Sequence, residues 1–388
     1  MRIRKITADK IFNGDHFLHH HALILSEVGR VEDLIPIEEA GEGIEKYEGI
    51  LTPGFINAHC HVELSHLKGR VSEGKGLIGF LMEVVENRTK YNEGKEDAIR
   101  AAVQEMQSNG IAGVGDICNT TDAIIAKQPS TMKWHSLVEV LNFTDASLEQ
   151  RITHFKTVKG AHTEVGLSAA LCGHAPYSVT GNTWKAINEA TTGQVISVHN
   201  QETAAENELF ITGSSDFDRF YTQFSNRLSP FPSIGQSSLQ TWLPHFTNGQ
   251  TLLLVHNLFI NENDILFAQA HAKQYGLNLV YCLCPNANLY IENKLPPVDL
   301  LQEHQCTIVL GTDSYSSNYE LSIAAEIKTL LQHFPQLSIE KAMKWATSNG
   351  AAAFGWSALG DFQKGKQPGV VLLHNDFTIQ VLCVNGLS

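Results

Sequence analysis

Leu51-Thr52-Pro53-Gly54-Phe55-Ile56-Asn57-Ala58-His59-Cys60-His61 is an apolar run that ends in two histidines one residue apart. On a strand, side chains i and i+2 point the same way, so both imidazoles can face one point in space. Three later stretches share this design, an apolar run closed by a polar residue: Ser197-Val198-His199, Leu254-Val255-His256 and Leu310-Gly311-Thr312-Asp313. A His-x-His pair alone is more often structural in a chain with 18 histidines, and an Asp after Gly-Thr is usually a turn or cap residue. Four such strand ends together point to a cation, because buried strand ends disfavour charge unless something offsets it.

Working outward, the middle of the chain alternates short apolar runs with longer helical stretches, the pattern of a parallel α/β fold. Eight candidate strands span 49–61, 113–118, 135–142, 165–174, 194–199, 251–257, 277–284 and 306–313, with helical segments such as 95–109, 183–191, 262–275 and 320–333 between them. Their nearly all-apolar character suits strands buried on both faces. Eight strands with crossover helices predict an α/β fold of the (β/α)8 TIM barrel type, whose polar groups gather at the C-terminal ends of the strands. Residues 1–50 read as short β segments, and so does 360–388. The expectation is a small β-sandwich formed by 1–50 plus 360–388, flanking a barrel over 51–359. The connection 201–250 is rich in Phe, Tyr, Trp, Pro and Gly without a clear period. Its position between the fifth and sixth strands allows either a cover over the barrel mouth or a surface insertion.

Composition narrows the partners. The formal charge is −13, from 28 basic and 41 acidic residues, which excludes the basic footprint of a nucleic-acid surface. No apolar run is long enough to cross a bilayer, and the basic start Met1-Arg2-Ile3-Arg4-Lys5 has no apolar segment after it, so neither a membrane nor a signal peptide is expected. The seven cysteines sit mostly in apolar, strand-like runs and read as reduced thiols of a cytoplasmic protein, and Cys282-x-Cys284 has the wrong spacing for a zinc knuckle. His19-His20-His21 lies in the terminal β unit, where three adjacent side chains cannot all face one ion. The expected partner is a small-molecule substrate.

The sequence resembles the amidohydrolase superfamily, in its branch of cytosine, guanine and adenosine-type deaminases and chlorohydrolases. The segments that carry the resemblance are 51–61, His174-Ala175-Pro176-Tyr177-Ser178, Val198-His199-Asn200-Gln201-Glu202-Thr203, Leu254-Val255-His256-Asn257, Gly311-Thr312-Asp313-Ser314 and Ala346-Thr347-Ser348-Asn349-Gly350-Ala351. It implies a barrel with a flanking β-sandwich, and His59, His61, His199 and Asp313 as ligands of one divalent metal ion. Two-metal members carry a bridging lysine at the end of the fourth strand, where this chain has Gly173-His174. Zinc is the default for such ligands, and iron fits the same set. The resemblance further implies that Asp313 takes the proton of a metal-activated water and that His256 steadies the attacked centre. It makes Glu202 a proton shuttle to a ring nitrogen and His174 a substrate contact. Glu63, Ser65, Asn288 and Ser316 are further candidates near the expected mouth. Family members are often dimers or larger, which implies a homo-oligomer.

Within the branch, His61-Val62-Glu63-Leu64-Ser65 and Thr312-Asp313-Ser314-Tyr315-Ser316-Ser317-Asn318 are most similar to a group that replaces the 6-amino group of an adenine ring by a carbonyl oxygen. Two segments depart from the branch: Cys284-Pro285-Asn286-Ala287-Asn288, and Gly365-Lys366-Gln367-Pro368-Gly369. The alternatives are deamination of guanine, S-adenosylhomocysteine, methylthioadenosine or another heterocycle, hydrolysis of an amide, lactam or aryl chloride at the same metal, and a non-catalytic scaffold. Glu202 discriminates among the enzymes, because deamination of a ring amidine needs a proton donor there.

Overall fold

The computed structural model describes residues 3–225 and 231–384. The strands are β1 (Arg4–Phe12), β2 (Phe17–Leu18), β3 (His21–Leu25), β4 (Val31–Pro36), β5 (Ile44–Pro53), β6 (Phe55–Cys60), β7 (Ile111–Cys118), β8 (Lys133–Val140), β9 (Ser168–Gly173), β10 (Val195–Asn200), β11 (Thr251–His256), β12 (Asn278–Leu283), β13 (Thr307–Leu310), β14 (Val370–Leu373) and β15 (Ile379–Cys383). Both chain ends meet in one mixed sheet of order β15-β14-β5-β1-β3-β4, with β2 paired to β1. The sequence leads one to expect the two sheets of a sandwich. Here β1 pairs with both β3 and β5, and β5 in turn with β14, so a single hydrogen-bonded ladder runs from the C-terminal strands to β4.

The expected strand over 49–61 is two strands. β5 stays in the terminal sheet up to Pro53, which pairs with Val370, and β6 begins at Phe55 beside β7. Gly54 is the crossing point. Its N–H donates to the Pro368 carbonyl at 3.1 Å, and a Cβ there would lie 2.6 Å from Ala112 Cβ and 2.7 Å from the Pro368 oxygen. Only glycine lets the chain pass between the two sheets at that distance.

The remaining eight strands form two parallel sheets, β6-β7-β8-β9 and β10-β11-β12-β13. Every residue of β6 and β7 is buried, as the apolar runs predict. Backbone hydrogen bonds also join the two sheets. On one side the His199 N–H donates to the His174 carbonyl at 2.9 Å, from the start of one half to the end of the other. On the opposite side the Thr312 and Asp313 N–H groups both donate to the His59 carbonyl, at 3.1 and 3.0 Å, and Cys60 and Asp313 form a parallel bridge. Helices Gly76–Lys90, Lys95–Ser108, Leu148–Glu164, Gly181–Ala190, Glu262–Tyr275 and Ile323–His333 lie between the strands.

The aperiodic connection contains the helices Ala204–Thr212, Phe217–Ser225 and Ser238–Trp242. Phe217 stacks on Tyr177 with ring centroids 4.3 Å apart, and the Tyr221 hydroxyl donates to the Tyr177 carbonyl at 2.6 Å. This segment therefore packs over the strand ends. Each helix is shorter than the window in which a 3.6-residue period becomes legible.

Gly311 is the tightest part of the β6–β13 seam: a Cβ there would meet the backbone and Cβ of His59 at 2.8–2.9 Å. Gly311→Ala is expected to cost about 1–3 kcal/mol of stability by overpacking. Urea unfolding of the two proteins checks this, and equal midpoints would show that the seam yields without cost.

Candidate active site

At the C-terminal ends of the parallel strands, four side chains converge. His59 Nε2 lies 3.1 Å from His61 Nε2, which lies 3.3 Å from His199 Nε2. Asp313 Oδ1 lies 3.5 Å from His59 Nε2 and 3.3 Å from His61 Nε2. All four are buried or nearly so. The His199 Nδ1–H donates to the His174 carbonyl at 2.8 Å, which leaves its Nε2 as a bare lone pair facing the others. Burial, with the neighbouring imidazoles, pushes His199 down to about 4 and His61 well below the usual histidine value. Neutral lone pairs aimed at one another repel unless a cation lies between them.

Much of the spacing fits that cation. Four ligands at about 2.0–2.1 Å in a tetrahedron stand about 3.3–3.4 Å apart, and four of the six separations here are 3.1–3.5 Å, while His199 and Asp313 lie beyond ion-pair distance of each other. The donor set, three imidazoles and one carboxylate, is that of a zinc-type centre. Two overlapping groups, His59-His61-His199 and His59-His256-Asp313, each bring their ligand atoms within 4.8 Å of one another.

The surroundings hold these groups in place. Asp313 has φ +56° and its Oδ2 accepts from the Ser317 hydroxyl at 2.6 Å. Behind the His59-Cys60-His61 turn, Asp116 Oδ1 accepts the Val62 N–H at 2.8 Å while its Oδ2 pairs with fully buried Lys127 at 2.6 Å. His256 has φ +74° and its Nδ1 accepts from Asn288 Nδ2 at 2.9 Å, so its proton sits on Nε2, 3.5 Å from Glu202 Oε1. Glu202 follows Gln201 (φ +48°) in a turn held by Glu206, whose two oxygens accept the Gln201 and Glu202 N–H groups at 2.9 and 3.2 Å. Burial, reinforced by the charges of Asp313 and Glu206, raises Glu202 well above the ordinary carboxylate range. Its surroundings thus favour the neutral, proton-donating form.

A cavity opens above the cluster, lined by His61, His174, His199, Glu202, His256 and Asp313, with apolar walls that include Leu81, Phe143 and Phe220. His174, whose Nδ1 is bonded to the Ser178 hydroxyl at 2.7 Å, lines the cavity. The four weaker candidates lie elsewhere. Glu63 accepts the Asn119 and Thr120 N–H groups, and the Ser65 hydroxyl is turned back to the Val62 carbonyl at 2.7 Å, beside a separate surface pocket. Asn288 holds His256, and Ser316 is bonded to Ser314, which itself lines the cavity. Glu139, Asn119 and Arg88 line it too and are absent from the sequence reading. Glu139 carried a legible signal: it is the single acid inside the apolar run Ser136-Leu137-Val138-Glu139-Val140.

An α/β core with buried imidazoles and a carboxylate gathered at its parallel strand ends suits a metal-dependent hydrolase. The chain belongs to the amidohydrolase family, whose sequence profile matches residues 50–387, and is an enzyme acting on C–N bonds. It is similar to the adenosine deaminase of Helicobacter pylori, 29% identical over 311 residues that cover 78% of this chain and 74% of that protein. It is also similar to the aminodeoxyfutalosine deaminase of Nitratiruptor sp., 27% identical over 360 residues, 90% of this chain and 85% of that one. In structure it matches Helicobacter pylori aminofutalosine deaminase in complex with methylthio-coformycin, with a TM-score of 0.82 and 23% identity, over 96% of this chain and 92% of that chain. Among the described residues no helix is long and apolar enough to cross a membrane.

Glu206 links the site to stability. Burial raises its carboxyl to about 7 from the ordinary 4.5. A raised acid favours folding below the unfolded value and loses that contribution as pH climbs through the folded one. Stability is therefore expected to fall by about 1–3 kcal/mol between pH 4.5 and 7 through this group. Glu206→Gln should flatten that slope in urea unfolding across the range, and an unchanged slope would assign the pH dependence to other groups.

Proposed function

We propose that this enzyme is a mononuclear metal-dependent aminohydrolase that deaminates an adenine-type ring with release of ammonia. The favoured substrate is aminodeoxyfutalosine or a related adenosine-like nucleoside. The observation that carries the reading is Glu202: a buried acid whose neutral form burial favours, directly beside the cluster of His59, His61, His199 and Asp313. In this reading the two parallel sheets close into one (β/α)8 barrel over 51–359, and 1–50 plus 360–388 form the flanking β unit. The resemblance of the sequence and the names of the similar deaminases support the adenine-type ring.

The three imidazoles and Asp313 would hold one divalent ion, zinc by ligand preference. When bound, such an ion lowers the pKa of a coordinated water toward neutrality. Asp313, fixed by Ser317, accepts that water's proton. The His256 Nε2–H, oriented by Asn288, donates to the attacking oxygen and holds it at the ring carbon. Glu202 gives its proton to the ring nitrogen beside that carbon, which makes the amidine a better electrophile. His174 and the apolar walls position the ring, and helix Phe217–Ser225 shields the cavity from water. Asp313 then passes its proton to the amino group, the hydroxyl proton returns to Glu202, and collapse of the tetrahedral centre to the carbonyl expels ammonia.

Glu202→Gln separates this reading from amide or aryl chloride hydrolysis. With zinc-loaded protein, ammonia release from aminodeoxyfutalosine or adenosine is expected to fall by about 100-fold or more, with zinc content by elemental analysis unchanged. Turnover that survives the substitution, or wild-type protein that releases no ammonia from any adenine nucleoside, would overturn it.

A further inference from the structure

β8 carries one acid, Glu139, which the chemistry above leaves unused. It is 3% exposed and lines the cavity. Its Oε2 accepts from Asn119 Nδ2 at 3.1 Å, and the same amide donates to the Glu139 carbonyl at 3.2 Å, so the side chain is held from the end of the neighbouring strand β7. Its Oε1 has no hydrogen-bond partner. The nearest imidazole does not supply one. His199 Nδ1 lies 3.5 Å away, and its single proton is committed to the His174 carbonyl at 2.8 Å. A buried carboxylate oxygen without a donor costs free energy that a ligand's donor would recover.

Arg88, near the end of helix Gly76–Lys90, lines the same cavity half-buried. Among the described residues its side chain makes no hydrogen bond or ion pair, and it does not reach Glu139 within ion-pair distance. An unspent acceptor and an unspent fork of donors thus face one cavity. A cationic ligand group would be repelled by Arg88, and an anionic one by Glu139. A hydroxyl is neutral, donates to a carboxylate and accepts from a guanidinium, and two adjacent hydroxyls can serve both groups together.

We propose that Glu139, fixed by Asn119 and flanked by Arg88, is a specificity-determining residue that reads a vicinal diol, the 2′- and 3′-hydroxyls of a ribonucleoside whose base faces the His/Asp cluster. This rests on the aminohydrolase reading and assigns the residues that hold the nucleoside's sugar. A free base or a dideoxynucleoside leaves Glu139 Oε1 unpaired in the complex, and loss of that contact weakens binding more than the chemical step.

The test compares adenosine with 2′,3′-dideoxyadenosine on zinc-loaded protein. Ammonia release gives kcat and KM, and calorimetric titration of the Glu202→Gln protein gives binding without turnover. The wild-type protein is expected to prefer the ribonucleoside by about 10–100-fold, chiefly in KM. In Glu139→Gln and Glu139→Leu, with zinc content unchanged, the preference should shrink by at least about tenfold for Leu and less for Gln, which keeps an acceptor oxygen. Equal KM values for the two nucleosides in the wild type would overturn the diol assignment and leave the aminohydrolase reading standing. So would a preference undiminished in both Glu139 variants. Diol-dependent binding without any ammonia release would do the reverse, and absence of both binding and turnover would overturn both.

Discussion

The carbonyl oxygen of His59 accepts two backbone N–H groups, from Thr312 and Asp313, and the rest of the site depends on that double bond. It ties the first parallel strand to the last. It also turns Asp313 into a left-handed conformation, which a non-glycine residue adopts only when its surroundings over-determine it. Asn57 reinforces the seam from below, donating to the Thr312 hydroxyl at 2.8 Å and accepting the Thr312 N–H at 3.1 Å. Gly311 allows the close approach that these bonds require. One member of the cluster is thereby fixed by the backbone of another, across about 250 residues of intervening chain.

The same economy recurs around the cluster. The His174 carbonyl accepts both the backbone N–H and the ring Nδ1–H of His199, so one oxygen joins the two sheets and sets the tautomer of a cluster histidine. His256, Asn257, Gln201 and Asp313 all have positive φ, and all sit where parallel strands end. Strain is stored where side chains must turn inward instead of continuing along the strand. Burial favours the neutral forms of His61, His199 and Glu202. The arrangement is costly without a cation and a substrate, and suited to both.

Much of this was legible because strand periodicity and burial leave a plain mark. An apolar run that ends in His-x-His, His or Asp advertises a polar group held at a buried strand end, and the structure brings His59, His61, His199, His256 and Asp313 together there. The β5–β6 break at Gly54 was not legible, because the run stays apolar through it and both strands are buried at that point. Glu63, Ser65, Asn288 and Ser316 lie close in sequence to cluster or strand-end residues, yet Glu63 accepts backbone N–H groups, Ser65 turns to a backbone carbonyl, Asn288 Nδ2 bonds His256 and Ser316 bonds Ser314. Adjacency along a chain does not fix which way a side chain leaves it. The single sheet formed by the termini was hidden for a related reason: strand propensity says that a segment pairs, not with which edge.

The sequence by itself determined the class of fold, the order of the polar strand ends and the donor types available to a metal, because these follow from local period and residue chemistry. Only the tertiary structure decided which donors remain unspent. His199 gives its Nδ1 proton to a carbonyl 25 residues away, which leaves Glu139 with a free oxygen, and Arg88 reaches the same cavity from a helix on the far side of a turn. A hydrogen bond has a direction and a single proton, and its partner is chosen by proximity in space, which no one-dimensional pattern records.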